Sequence, residues 1–206
     1  ERFNLFVVED AAQAIGATYT FADGHTAQAG TMGHIGCTSF FPSKNLGCFG
    51  DGGALFTQHD DLAALLQQMA NHGQKVKYYH DTVGVNSRLD TLQAAVLRVK
   101  LPHLRDFAAR RQAVAAAYDA AFAGNDRLKI PVRAAQSTHV FHQYTLLLQG
   151  VDRAAFQAAL QERGVPTMVY YPVPLHLQKC YAYLGRGAGS FPVAETAAAN
   201  IDQLTV

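Results

Sequence analysis

Cys37-Thr38-Ser39-Phe40-Phe41-Pro42-Ser43-Lys44-Asn45-Leu46-Gly47-Cys48-Phe49-Gly50-Asp51-Gly52-Gly53 is the stretch whose reading decides the fold. It opens in an apolar run, residues 36–41, that reads as a buried strand. Pro42 breaks the run. Lys44 then stands at the start of a turn holding Gly47, Gly50, Gly52 and Gly53, which lets the backbone fold tightly around whatever the lysine touches. Residues 53–57 read as the next strand, so Lys44 lies on a strand-to-strand connection. A lysine held against apolar residues loses hydration, and its amine becomes a nucleophile able to form a Schiff base. Taken alone, a solvated lysine on a mobile loop is the plainer reading.

Working outward, Leu5-Phe6-Val7-Val8 is a short, non-alternating apolar run, as expected of a strand buried on both faces. It ends in Glu9-Asp10-Ala11-Ala12-Gln13-Ala14. A carboxylate just past such a strand lies where open α/β sheets bind ligands. Three further blocks stand out. They are Asn86-Ser87-Arg88-Leu89-Asp90 with Leu92-Gln93-Ala94-Ala95, the lysine stretch itself, and Tyr171-Pro172 with Pro174-Leu175-His176 and Gln178. With Val8 to Ala14 these make four ordered blocks over nearly the whole chain. On them the chain resembles the DegT/DnrJ/StrS family of pyridoxal-phosphate-dependent nucleotide-sugar aminotransferases, which have the fold of aspartate aminotransferase.

The resemblance implies an α/β fold. Residues 1–102 would be part of the cofactor-binding large domain, a mostly parallel sheet with helices. Residues 103–206 would be a bridging helix and a small C-terminal α+β domain. The family is nearly twice as long, so the chain is expected to be its second half. The first half would supply early strands, an aromatic residue stacking on the cofactor and a phosphate-binding turn. At the other end, Ile201 to Val206 stands where the family continues through a Ser-Leu-Pro-type segment.

Composition excludes several other classes. The chain has 206 residues, 49% of them hydrophobic and 16% charged, so a packed core is expected, not disorder. A formal charge of +1 offers no electrostatic reason for nucleic-acid binding. No apolar run approaches the roughly 20 residues that span a bilayer, and no basic n-region followed by an apolar h-region opens the given sequence. Three widely spaced cysteines, Cys37, Cys48 and Cys180, suggest free thiols in a reducing cytoplasm. Gly47 to Gly53 is not a Walker-type loop, because no Lys-Ser/Thr follows the last glycine and a strand comes next.

Periodicity supplies the rest. Asp60 is expected to cap a helix with Leu62, Leu65, Leu66 and Met69 on one face, ended by Asn71-His72-Gly73. Residues 74–87 read as a long loop with Tyr78, Tyr79 and His80, a type usually functional or covering a partner. Leu89, Leu92, Val96 and Val99 define a helix stopped near Pro102, and residues 103–122 a second one. Residues 141–149 read as a strand, Asp152 caps a helix ended by Gly164, residues 166–171 form a strand, and residues 193–201 a last helix.

The resemblance assigns roles to particular residues. Lys44 would be the Schiff-base lysine and a proton carrier. Asp10 would pair with the pyridine nitrogen of pyridoxal 5'-phosphate; by itself it also suits a helix cap. Gln13, one turn later, would hydrogen-bond near the phenolic oxygen, and Ser39 would donate to the phosphate. Asn86 would reach across a homodimer to the neighbour's phosphate. Arg88 suits either an anionic substrate group or an intrachain salt bridge. Tyr170, Tyr171 and His176 would line the sugar side, although the family often has His where Tyr170 stands. His139-x-x-His142 is a poor metal candidate, since residues three apart on a strand face opposite sides, and no metal site is expected.

The reaction implied is transamination of a nucleotide-linked keto sugar, with glutamate as the usual donor, in surface-polysaccharide or sugar-antibiotic precursor synthesis. A related sugar dehydratase has histidine in place of the lysine, and Lys44 argues against that. Residues 73–86 resemble members acting on UDP-linked 3-keto-N-acetylglucosaminuronic acid, whose carboxylate Arg88 would suit. The contrasting reading is a non-catalytic fragment or interaction domain descended from such an enzyme.

Overall fold

The computed structural model describes residues 3–204; Glu1, Arg2, Thr205 and Val206, which belong to the expectations made for the two ends, lie outside the described residues. The chain divides into two compact units. One comprises residues 1–112 and 133–142, the other residues 113–132 and 143–206.

The first unit is built on a three-stranded sheet. Its strands are β1 (Val8–Asp10), β4 (Ile35–Ser39) and β5 (Gly53–Phe56), in the order β1-β4-β5. The hairpin between the first two consists of β2 (Thr18–Thr20) and β3 (Thr26–Gln28). β1 runs parallel to β4, with Asp10 opposite Cys37, and β4 runs antiparallel to β5, with Ser39 opposite Gly53. A strand can return alongside its neighbour through a tight connection only when the pair is antiparallel. The proline- and glycine-rich stretch around Lys44 is that connection.

Helix α1 (Asp60–Ala70) follows, then the hairpin β6 (Gln74–Val76) and β7 (Tyr79–His80), α2 (Thr91–Lys100), and α3 (Leu104–Phe122), which enters the second unit at Ala113. Phe40, Leu46, Cys48 and Leu97 form a buried cluster, joined by the half-buried Ile15, Ala54 and Leu104. The residues flanking Lys44 thus carry this unit's core.

Several expectations are corrected here. Leu5 to Val8 is not buried: Leu5 and Phe6 are 66% and 59% exposed. β1 is an edge strand, and the described residues put no layer against this stretch. Asp60 does not cap α1; His59 holds the N-cap position and Asp60 is the first helical residue. On α1 Leu62 and Leu66 are half-buried, but Leu65 and Met69 are exposed and Gln68 is the buried residue. Gln68 is buried because its amide donates to Gly73 O at 2.9 Å, closing the helix end. Within residues 74–87 the chain forms the β6–β7 hairpin. On α2 Leu97 is buried, while Leu92 and Val99 are exposed. Residues 11–17, by contrast, form the irregular turn that their sequence allows, with Ala14 N to Ala11 O at 3.0 Å and Ala17 N to Ala14 O at 2.9 Å.

The second unit centres on a four-stranded antiparallel sheet of β8 (Leu128–Lys129), β9 (Tyr144–Leu148), β10 (Thr167–Met168) and β11 (Ile201–Leu204), in the order β10-β11-β9-β8. Along β9 Tyr144, Leu146 and Leu148 are buried and alternate with half-buried residues, the period of a strand with one covered face. Tyr144 donates its hydroxyl to Asp119 Oδ1 at 2.7 Å. Helix α4 (Arg153–Glu162) is capped by Asp152, whose carboxylate accepts from Ala155 N at 2.8 Å, as its sequence predicts. Helix α5 (Pro192–Asn200) leads directly into β11. Only Thr167–Met168 of the strand expected over 166–171 is a strand, and Ile201 starts β11 instead of ending a helix.

Candidate active site

Asp10 and Ser39 lie at the carboxyl ends of the parallel pair β1 and β4, and Lys44 lies in the turn that follows β4. The register puts Asp10 beside Cys37, two residues before Ser39, and Lys44 lies five residues beyond Ser39 in the following turn. Strand pairing continues one residue past β1, through Ala11 N to Cys37 O at 2.8 Å. Thr38 adds a side-chain bond from Oγ1 to Ala11 O at 3.1 Å. These bonds fix the backbone on both sides of Asp10. Its Oδ1 accepts from Ala12 N at 3.0 Å, which orients the carboxylate and leaves it capacity for a second donor. No helix follows Asp10, so the helix-capping reading does not apply, and its bond to Ala12 N closes a local turn instead.

Ser39 Oγ accepts from Phe41 N at 3.2 Å, so its O–H remains available to an acceptor. Lys44 is half-buried, and its backbone N–H closes the turn on Phe41 O at 2.8 Å. Gly47 is required where the chain folds back: a Cβ there would lie 2.3 Å from Pro42 O. Lys100 Nζ donates to Gly47 O and ties α2 to the same turn. Cys48 Sγ lies 3.0 Å from both Phe40 O and Gly50 O. Gln13 is exposed on the turn after Asp10.

Asn86 and Arg88 line a cavity of about 1020 Å³ with residues of β4, β5 and α1; Cys37, the register partner of Asp10, and Thr38, next to Ser39, line it too, whereas Asp10, Gln13, Ser39 and Lys44 do not. Arg88 Nε donates to Asn86 Oδ1 at 3.0 Å and so orients that amide. Backbone bonds from Val85 N to Met69 O and from Ser87 N to Ala70 O, at 2.8 and 2.9 Å, hold the segment against the end of α1.

Tyr170, Tyr171 and His176 belong to the second unit. Tyr171 is exposed, and the two tyrosine rings meet edge to face, 5.7 Å between centroids. His176 Nε2 lies 3.0 Å from Glu195 Oε1. Glu195 also accepts from Gly189 N and Phe191 N. Those backbone donors, foremost Gly189, and then His176 hold the Glu195 carboxyl below its usual range. Among the described residues no helix is long and apolar enough to cross a membrane.

Two residues matter more than their sequence suggested. Glu9 was read only as part of a motif. Its carboxylate accepts from Gly30 N at 2.9 Å and from Met32 N and Gly33 N, pinning the loop before β4. His142 was considered only as a metal ligand on a strand. Residues 139–142 precede β9, and Phe141 has a φ of 43°. The argument from opposite strand faces therefore does not apply. His139 Nδ1 accepts from Phe141 N at 2.9 Å. Burial, then the charges of Lys44 and Arg111, push the His142 imidazole down to about 4. The run Val140-Phe141 ahead of it is the signal of a buried imidazole.

The model of the DegT/DnrJ/EryC1/StrS aminotransferase family matches residues 1–206. The chain belongs to this family. A "Pleiotropic regulatory protein" of Geobacillus stearothermophilus is 46% identical over 96% of this chain and 52% of its own length. A UDP-2-acetamido-2-deoxy-3-oxo-D-glucuronate aminotransferase of Pseudomonas aeruginosa is 42% identical over 98% of this chain and 54% of its own. Among solved structures, DesV of Streptomyces venezuelae superposes with a TM-score of 0.91 at 43% identity, over all of this chain and 53% of that one. The chain thus spans about half the length of the curated relatives it matches. The fold is that of the sugar aminotransferases, and the family is one of pyridoxal-phosphate-dependent enzymes.

Proposed function

We propose that the protein containing this chain transfers an amino group from an amino acid, with glutamate as the donor, to a keto sugar carried on a nucleotide. The observation that carries this reading is the placement of Asp10 and Ser39 at the carboxyl ends of β1 and β4, with Lys44 in the turn that follows, where a carboxylate, a hydroxyl and an amine are each what pyridoxal phosphate needs. The donor set fits that group. Asp10 would hold the pyridine nitrogen, Ser39 and the partner's Asn86 the phosphate, Gln13 the phenolic oxygen, and Lys44 the carbonyl carbon. When bound, pyridoxal phosphate supplies the carbonyl that accepts the amino group and the ring that takes up the electron pair.

The residues of this chain do the rest. Asp10, already oriented by Ala12 N, would accept a hydrogen bond from the protonated ring nitrogen of the cofactor. Lys44, anchored by its own turn, moves a proton with its amine once that amine is released. Ser39 donates its hydroxyl proton to the phosphate. Arg88 offers the guanidinium donors it does not spend on Asn86 to an anionic substrate group. For the sugar we favour a UDP-linked 3-keto-N-acetylglucosaminuronic acid, supported by the Pseudomonas aeruginosa relative's name and by Arg88. Tyr170, Tyr171 and His176 would contact the sugar.

We further propose that Asn86 serves the phosphate site of the partner chain, so that the active unit is a homodimer whose sites are shared between chains. On this reading the enzyme works in the cytoplasm on small molecules, without nucleic acid or membrane as partner. An absorbance scan with pyridoxal phosphate, followed by borohydride reduction and mapping, tests the reading. A visible band bleached by glutamate and a pyridoxyl group on Lys44 are expected; an adduct on any other lysine overturns the site.

A further inference from the structure

Side chains hold the segment from His139 to His142 at four successive carbonyls. Gln112 Nε2 donates to His139 O at 2.9 Å. Asn45, the residue after Lys44, donates Nδ2 to Val140 O at 2.8 Å. Arg111 Nη1 donates to Phe141 O at 3.1 Å and to His142 O at 3.4 Å. A segment outside any strand is thereby locked to the lysine turn, and its imidazole is fixed with it. His142 Nδ1 is buried and has no hydrogen-bond partner among the described residues. Such an atom calls for an explanation.

The charges acting on the ring are Lys44 and Arg111, while Arg133 acts on His139 and lies over the Phe141 ring. Two cations and partial burial keep the imidazole uncharged at neutral pH, so one ring nitrogen is an acceptor. Arg111 is engaged with the two carbonyls. Lys44 remains as the donor of matching chemistry.

We infer that His142 is a positioning residue for Lys44: its Nδ1 accepts a hydrogen bond from the lysine amine, directly or through one water, whenever that amine is released. A lysine tail has four rotatable bonds, and an acceptor for its tip holds the amine where it must react. The functional meaning rests on the aminotransferase reading, whereas the pairing itself belongs to the chain.

The test uses the full-length protein without cofactor. Competitive labelling of Lys44 with acetic anhydride across pH, read by mass spectrometry, gives the titration midpoint of its amine. An acceptor on the ammonium favours the charged form. His142→Phe is therefore expected to lower the midpoint by about one pH unit, a tenfold change in free amine. His142→Gln, whose carbonyl can accept, should stay near wild type. An unchanged midpoint in His142→Phe overturns the inference, and so does an equal shift in both variants. Should His142→Phe fail to fold, nitrogen-15 spectra of His142 in Lys44→Met decide. At a pH where the ring is neutral, a change in the Nδ1 signal supports the pairing and an unchanged signal sinks it, whatever the imidazole titration does when the Lys44 charge is lost. A protein that shows the coupling yet never takes pyridoxal phosphate at Lys44 keeps this inference and loses the aminotransferase reading. One that takes the cofactor with a Lys44 indifferent to His142 does the reverse.

Discussion

Asn45 donates its side-chain amide to the carbonyl of Val140, 95 residues away in sequence, at 2.8 Å. The bond is buried and joins the lysine turn to the segment that carries His142. Asn45→Ala should leave the Val140 carbonyl buried without that donor and cost about 1–3 kcal/mol of stability. Urea denaturation of the full-length protein measures it. A midpoint equal to wild type would show that the turn does not depend on this tie.

Why part of this was legible in the chain and part was not follows from the residues. Phe40-Phe41-Pro42 and the later glycines announce a strand, a break and a tight return, all local, and so Lys44 could be found on its connection. Asp152 could be read as a cap for the same reason. The burial of Leu97 instead of Leu92 and Val99 was not legible, because α2 carries apolar residues around much of its circumference and only its neighbours choose a stripe. The roles of Glu9 and His142 depend on bonds to residues far along the chain. Leu5 to Val8 reads as buried from its composition, yet burial is a property of the covering layer.

Gly47 is the second test of the turn. A methyl group there would meet Pro42 O at 2.3 Å and Phe41 O at 2.8 Å, both backbone atoms that cannot swing aside. Gly47→Ala should cost about 1–3 kcal/mol through overpacking and weaken pyridoxal-phosphate binding by displacing Lys44. Thermal melting and a cofactor titration check both. Unchanged affinity would mean that the turn's shape does not set the lysine.

Acid should destabilise the first unit through His142. Its imidazole sits near 4 when folded and at its ordinary value of 6.5 when unfolded. Between those values the unfolded chain binds a proton that the folded chain refuses, so stability falls as pH falls through that window. His139, also lowered by burial and Arg133, adds in the same direction. The loss in urea midpoint between about pH 7 and pH 4.5 should be smaller in His142→Phe than in wild type. An identical loss in both would show that His142 is not kept neutral by the fold.

Chemistry separates Lys44 from Asp10. Lys44→Ala should abolish turnover and keep the fold, since the side chain lies outside the buried cluster of Phe40, Leu46, Cys48 and Leu97. Asp10→Asn should still bind the cofactor but lose rate on the order of a hundredfold or more, the size expected when a preorganised charge is removed. Steady-state kinetics with circular dichroism as the fold control measures both. Near-normal rates in either variant contradict the assigned role.

Sharing of sites between chains can be tested by complementation. Asn86 is oriented by Arg88 and lines a cavity that includes neither Lys44 nor Asp10. If it serves the partner's phosphate, Asn86→Asp places a like charge there and inactivates the site by repulsion. Lys44→Ala inactivates by removing the amine. Each homodimer of one variant is then inactive. In a mixed dimer one site joins the intact Lys44 of one chain to the intact Asn86 of the other, and the remaining site carries both lesions. Mixing the two full-length variants under subunit exchange should therefore restore up to about a quarter of wild-type activity, because half the dimers are mixed and half their sites are whole. If both residues serve the same chain's site, every site keeps one lesion and no activity returns, which ends the shared-site reading.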